Sequence, residues 1–359
     1  MKLKKLFAGI LAVAMMATMA APAFAADMTS TNTVVAVAPN SDITVTKVYT
    51  ENNGTFDTDS IKFELVKFSD EKYVHVEKST LTDADVQSYL PTFEVSNVSK
   101  DATGAVVNSE LKVHVPDYAK VGVYTYRVKE VGGDTLGMTY DTNTYTLRIA
   151  VANKMLDGKA TDEKVCYVTL RDDSDDKVGA ITNTYNAGNL SITKKVDGNL
   201  GDRSADNKFK FKATFNVPTG YDLNSTLTVP TGSAITWNAD KTEGTVEFEL
   251  AHNETFTISN LPYKMTYKIE ELDASKNAVT EGNLNGTYTV NYDAKVSGEM
   301  NAENLGNDTV IATTVTNTYG DTSIETGVIL DNAPYIALMM VVVAGAAVMI
   351  IKKRRHFED

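Results

Sequence analysis

Three residue types that could react with one another recur in the same order twice along the chain. Lys47, Glu130 and Asn183 form the first set, and Lys194, Glu271 and Asn317 the second. The sequence around them repeats as well. Thr44-Val45-Thr46-Lys47 returns as Ser191-Ile192-Thr193-Lys194, Tyr126-Arg127-Val128-Lys129-Glu130 as Tyr267-Lys268-Ile269-Glu270-Glu271, and Ile181-Thr182-Asn183-Thr184-Tyr185 as Val315-Thr316-Asn317-Thr318-Tyr319. Charged side chains are almost never fully buried unless paired. A Lys–Glu ion pair would account for two members of each set but leave the returning asparagine without a role. A chemical reading uses all three. Burial lowers a lysine's pKa and raises a glutamate's by up to several units. The neutral amine is then a nucleophile toward the Asn side-chain carbonyl. A protonated carboxyl can hydrogen-bond that carbonyl and carry protons as ammonia leaves. The product is a Lys–Asn amide, for which Glu130 and Glu271 act only while the bond forms.

This chemistry needs elements that aim all three side chains at one interior, and the patterning supplies them. Side chains alternate faces along a strand. Ile43, Val45, Lys47 and Tyr49 share one apolar face, so Lys47 points inward. Leu190, Ile192, Lys194 and Val196 share another, which selects Lys194 over its neighbour Lys195. Tyr124, Tyr126, Val128 and Glu130 align, as do Met265, Tyr267, Ile269 and Glu271, leaving Glu270 outside with Lys268. Asn183 aligns with Ile181 and Tyr185, and Asn317 with Val315 and Tyr319. Further period-2 stripes run through Ile61–Leu65, Tyr145–Val151, Phe209–Phe215, Val246–Leu250 and Tyr288–Tyr292, separated by Gly, Asn and Asp clusters. The pattern predicts an all-β chain of antiparallel strands in two tandem sandwiches, with one short helix around Thr82–Leu90. Two copies of a unit mean two domains of one fold, here 27–186 and 187–320.

The ends of the chain read differently. Lys2, Lys4 and Lys5, an apolar run from Leu6 to about Ala20 and Ala23-Phe24-Ala25 have the layout of a secretory signal peptide over residues 1–25. A second apolar run, 333–351, is long enough as a helix to span the roughly 30 Å hydrocarbon core. Lys352, Lys353, Arg354 and Arg355 in the tail 352–359 would hold that end in the cytoplasm. Segment 321–332 contains Thr326-Gly327. A Thr-Gly pair before a membrane helix and a basic tail resembles a sortase sorting signal, in which a transpeptidase cuts between Thr and Gly and passes the Thr carbonyl to an amine. The usual Leu-Pro before the pair is missing, and Glu325 stands where Pro is common.

Two such sets in the same order, between a signal peptide and a sorting signal, resemble the isopeptide triads of Cna B-type, immunoglobulin-like pilin domains. The class they resemble is the streptococcal T-antigen (FctA-like) backbone pilins. That resemblance implies a shaft subunit of a covalently polymerised, cell-wall-anchored surface pilus and not an enzyme. Its partners would be further copies of itself joined head to tail, a class C or class B-type sortase, peptidoglycan, minor pilins and host surface ligands. A Tyr-Pro-Lys pilin motif is absent. Lys177, shortly before the bonded Asn as in the resembling pilins, is the candidate intersubunit lysine, with Lys154, Lys159 and Lys164 as rivals and an acidic turn around Lys177 as the plain alternative. A wall-anchored adhesin or minor pilin that binds a host protein or glycan is the alternative function.

Composition narrows the field further. The formal charge of −13 argues against nucleic acid. A single cysteine, Cys166, excludes an internal disulfide, so the chain uses some other covalent reinforcement or none. The four histidines show no metal-ligand spacing, and no cofactor or metal is expected. Gly-rich phosphate loops, Gly-x-Ser-x-Gly and His-Glu-x-x-His are absent.

Overall fold

The computed structural model describes residues 27–28, 33–69, 71–76, 80–107 and 110–320. The expected signal peptide, Thr326-Gly327, the apolar run 333–351 and the basic tail lie outside them. No helix among the described residues is long and apolar enough to cross a membrane.

The strands form two β-sandwiches joined through one sheet. Burial alternates along the Thr144–Leu156, Phe209–Asn216 and Glu243–Leu250 strands, as expected of strands that cover a core on one face. The first core gathers Ile43, Val45, Tyr126, Val128, Leu147 and Ile181. The second gathers Ile192, Phe211, Phe215, Ile258, Ile269 and Val315. The helix expected near Thr82–Leu90 is present as Asp83–Gln87, started by a capping box between Thr82 and Asp85.

The centre of the fold is the 18-residue strand Ala180–Asp197. Its first half runs parallel to the first long strand, Ser41–Asn52, and its second half runs parallel to the last strand, Val310–Tyr319. Sequence reading places a domain boundary at 186/187, but the chain does not turn there. Gly188, just past it, serves close packing. A Cβ on it would come within 2.5 Å of the Met300 sulfur. One strand therefore belongs to both sandwiches.

The seam around that strand is tightly bonded. Leu136, on a loop of the first unit, is fully buried in the second core. Its N–H donates to the Asp222 carbonyl at 2.9 Å, and the Asp222 N–H donates to the Asp134 carbonyl at 2.7 Å. The Asn260 side chain accepts from the Thr55 N–H at 2.9 Å and donates to the carbonyls of Thr55 at 2.8 Å and Thr226 at 2.9 Å.

Candidate isopeptide sites

Each sandwich brings one lysine, one glutamate and one asparagine together in its interior. Parallel pairing fixes two of the three. Lys47 lies opposite Ile181 and Tyr49 opposite Asn183. In the second unit Lys194 lies opposite Val315 and Val196 opposite Asn317. In both, the asparagine stands two residues beyond the lysine's partner on the adjacent strand, so the two side chains meet on the same face. The glutamates come from the facing sheets, Glu130 on Gly122–Val131 and Glu271 on Thr266–Leu272. Lys47 is 3 % exposed and Glu130 5 %, and the other four residues are fully buried. Lys195 is exposed, and Glu270 pairs with Lys268 on the outer face at 2.6 Å.

In the first site Lys47 Nζ donates to Glu130 Oε2, and to Asn183 Oδ1 at 2.9 Å. Asn183 Nδ2 donates to Glu130 Oε1 at 2.7 Å. Burial pushes the Lys47 amine below the ordinary lysine range, against the opposing pull of Glu130. Burial likewise pushes the Glu130 carboxyl up, against the opposing pull of Lys47. Both shifts favour the uncharged forms that the chemistry needs.

One group in this site is not legible from residue types. The backbone N–H of Asp141 donates to Asn183 Oδ1 at 3.0 Å. The chain is led there by the short Met138–Thr139 strand, which pairs with Tyr185 and Thr184 of the shared strand. Gly137 makes the approach possible: its φ is +84°, and a Cβ would come within 2.8 Å of the Asn186 carbonyl. The contact corrects one expectation. Sequence reasoning puts the carboxyl against the Asn carbonyl, whereas here the carboxyl receives the amide nitrogen. An N–H can only donate, so the atom facing Asp141 is the oxygen and the leaving nitrogen faces Glu130.

The second site has the same members and a different surround. Lys194 Nζ donates to Glu271 Oε2 at 3.0 Å, and Asn317 Nδ2 donates to Glu271 Oε1 at 2.7 Å. Asn285 Nδ2 also donates to Glu271 Oε1, at 2.7 Å. Lys194 Nζ lies 4.3 Å from the centroid of the Phe209 ring, a cation–π contact. Asn317 Oδ1 is buried without a hydrogen-bond partner. Burial lowers the Lys194 amine to about 8, opposed by Glu271.

The remaining candidates fall elsewhere. Lys177 is exposed on the short strand Lys177–Val178, opposite Arg171. Partial burial and the Arg171 charge lower its pKa. Among its rivals, Lys154 is tied to Glu163 at 2.9 Å, Lys159 is exposed and Lys164 is half-buried. Thr326 and Gly327 lie outside the described residues. Among those residues no group of three or more His, Cys, Asp or Glu side chains could hold a metal ion.

Comparison with known proteins bears on the same regions. The chain is 26 % identical over 257 residues to a pilin of Streptococcus pyogenes serotype M1, a match spanning 70 % of this chain and 74 % of that one. Among solved structures, the major pilin protein T3.2 of S. pyogenes serotype GAS13637 aligns at 20 % identity with a TM-score of 0.46. That alignment covers 80 % of this chain and 100 % of the other. A second S. pyogenes major pilin aligns at 21 % identity and a TM-score of 0.45, covering 79 % and 99 %. Residues 188–319 match a family described as a domain of unknown function. Residues 1–186, just over half of the 359, match the model of the Spy0128-like isopeptide-containing domain. The chain belongs to that family of isopeptide-containing proteins.

Proposed function

We propose that this protein is the structural shaft subunit of a covalently polymerised surface pilus, with a self-formed Lys–Asn bond in each sandwich. The observation that carries the reading is the shared strand. It holds Asn183, the acceptor of the first bond, and Lys194, the nucleophile of the second. With both bonds made, a continuous covalent path enters at Lys47, crosses to Asn183, follows the chain to Lys194 and crosses to Asn317. Tension along that path bypasses residues 48–182 and 195–316. What remains between the cross-links is eleven residue-to-residue steps of strand already near full extension, roughly 36 Å. A subunit wired in this way cannot lengthen by unravelling, a property suited to a filament under load.

In each site the lysine nitrogen attacks the asparagine Cγ. The new Nζ–Cγ bond forms, the Cγ–Nδ2 bond breaks, and ammonia leaves. The glutamate takes the proton from Nζ and delivers it to Nδ2, the atom it already touches, so it ends the step as it began. The reaction happens once per site and consumes it, which is why the protein is read as structural and not as an enzyme.

Export by a signal peptide over 1–25, sortase cleavage between Thr326 and Gly327, and passage of the Thr326 carbonyl to an amine on the next subunit complete the reading. A class C or class B-type sortase would join subunits, and peptidoglycan would receive the last one. Lys177 is the favoured amine. The shared strand meets the second unit at Ala187, opposite Pro262. That strand begins at Ala180, roughly 23 Å of extended chain before that point, and Lys177 lies just ahead of its start, on the edge of the facing sheet. It therefore marks the end of the first sandwich away from the second, and joining it to Thr326 builds a head-to-tail contact that does not close. In a strain carrying Lys177→Ala, surface extracts on a denaturing gel are expected to show monomer in place of a high-mass ladder. An unchanged ladder assigns polymerisation to another lysine, and absence of any ladder from the parent strain contradicts the pilus reading.

A further inference from the structure

The proposed bond-forming step places negative charge on the asparagine Oδ1 as Cγ becomes tetrahedral, and stabilising such an oxygen is usually a large part of acyl-transfer catalysis. Two groups donate to Asn183 Oδ1, Lys47 Nζ at 2.9 Å and the Asp141 N–H at 3.0 Å. The lysine cannot keep its role. Once Nζ is bonded to Cγ it is held within the intermediate and no longer points a proton at Oδ1. The Asp141 N–H remains, needs no proton transfer and gains strength as the charge grows.

We propose that the backbone amide of Asp141 is the oxyanion donor of the first site, and that the second site, built without one, closes its bond more slowly. This inference rests on the isopeptide chemistry proposed above.

The amide is held where the intermediate needs it. Asp141 Oδ1 accepts from the Asn143 N–H at 2.7 Å, and Asp141 Oδ2 accepts from the Tyr145 hydroxyl at 2.6 Å. These bonds fix a turn directly after the Met138–Thr139 strand, and that strand is itself paired to the residues following Asn183. The donor and its target are therefore positioned by one local piece of sheet. In the second unit the space beside Asn317 is taken by a regular antiparallel strand, Tyr288–Tyr292, with Val290 opposite Asn317. The chain there continues in register and does not turn an amide onto the side chain. Asn317 Oδ1 is left buried without a donor.

The test is a time course on the full-length chain, made by cell-free translation in mild detergent. Aliquots are quenched in denaturant and digested, and the Lys47–Asn183 and Lys194–Asn317 cross-linked peptides are quantified by mass spectrometry. In the parent chain the first bond is expected to form at least about tenfold faster than the second. The key variant replaces Asp141 by its α-hydroxy acid through nonsense suppression, which exchanges the N–H for an ester oxygen and keeps the carboxylate. Loss of one oxyanion donor costs about 10²–10³ in rate, so the first bond is expected to slow by about that factor while the second keeps its parent rate. That unchanged second rate also reports an intact shared strand. An ester variant that forms the first bond at the parent rate overturns the assignment, as does a parent second bond that keeps pace with the first. If the ester variant loses both bonds, Tyr145→Phe decides: a severalfold slower first bond supports the assignment, and an unchanged one overturns it. If the parent forms neither cross-linked peptide, the underlying bond chemistry fails and the oxyanion role falls with it.

Discussion

The two interiors hold the same three residues at the same strand offset, yet they spend their surroundings on different members of the triad. In the first, the asparagine carbonyl is attended: Lys47 and the Asp141 N–H both donate to it. In the second, that carbonyl has no donor, while the glutamate receives an extra one from Asn285 and the lysine rests on the Phe209 ring. The first site thus attends the oxygen on which charge gathers as the bond forms, and the second attends the acid and the amine. Two triads that read identically along the chain need not react at one rate, because the groups that differ are a backbone amide and neighbours far away in sequence.

The comparison can be broken most forcefully by removing one acid at a time. Glu130→Ala and Glu271→Ala are each expected to abolish the bond in their own sandwich only. The bonds close loops of similar size, spanning 136 residues in the first unit and, from 194 to 317, 123 in the second. In the chain-entropy model each cross-link contributes about 5 kcal/mol. For domains of this size the melting temperature should fall by roughly 10–20 °C, by similar amounts in the two variants, as read by calorimetry. A large drop in only one would mean that the other bond had not formed in the parent.

A pH series sharpens the contrast at the second site. In Asn317→Ala the bond cannot form, and Lys194 stays an amine whose pKa is lowered from 10.5 to about 8 by burial. Its folded value lies below its unfolded one, so between those limits the unfolded chain binds the extra proton. Stability of this variant should therefore rise as pH climbs from about 8 toward 10.5, with the penalty complete below about 8. The bonded parent has no titrating amine there. A rise of several degrees in melting temperature, relative to the parent over the same range, is expected. Parallel profiles for the two proteins would contradict it.

The smallest effect is expected beside the reactive lysine. Lys195→Ala changes an exposed side chain on the outer face of the shared strand. It should leave the mass lower only by the substitution itself and stability within about 0.5 kcal/mol. A lost bond in this variant would mean that the wrong lysine has been assigned.

Much of the site is legible in sequence because strand alternation is strict. A one-residue shift exchanges inside for outside, which is enough to separate Lys194 from Lys195 and Glu271 from Glu270. The boundary at 186/187 falls where the two family matches meet, but the sequence does not show that one strand runs across it. The role of Gly188 in admitting Met300 and Leu305 depends on residues more than a hundred positions away. Asp141 could not be found by residue type, since every residue but proline carries a backbone N–H. The turn-forming Asp141-Thr142-Asn143 marks a bend, but not the side chain over which it bends. Asn285 and Phe209 are similar cases: one reads as a turn residue and the other as core, and only the fold sets them against Glu271 and Lys194.

If both triads have reacted, intact-mass spectrometry of the purified mature protein will show it in one reading. Each Lys–Asn bond expels one ammonia. The expected mass is below that of the processed sequence by two ammonia masses, rising by one in a Glu130→Ala or Glu271→Ala protein after allowance for the substitution. A parent protein at the full mass of its processed sequence would contradict it.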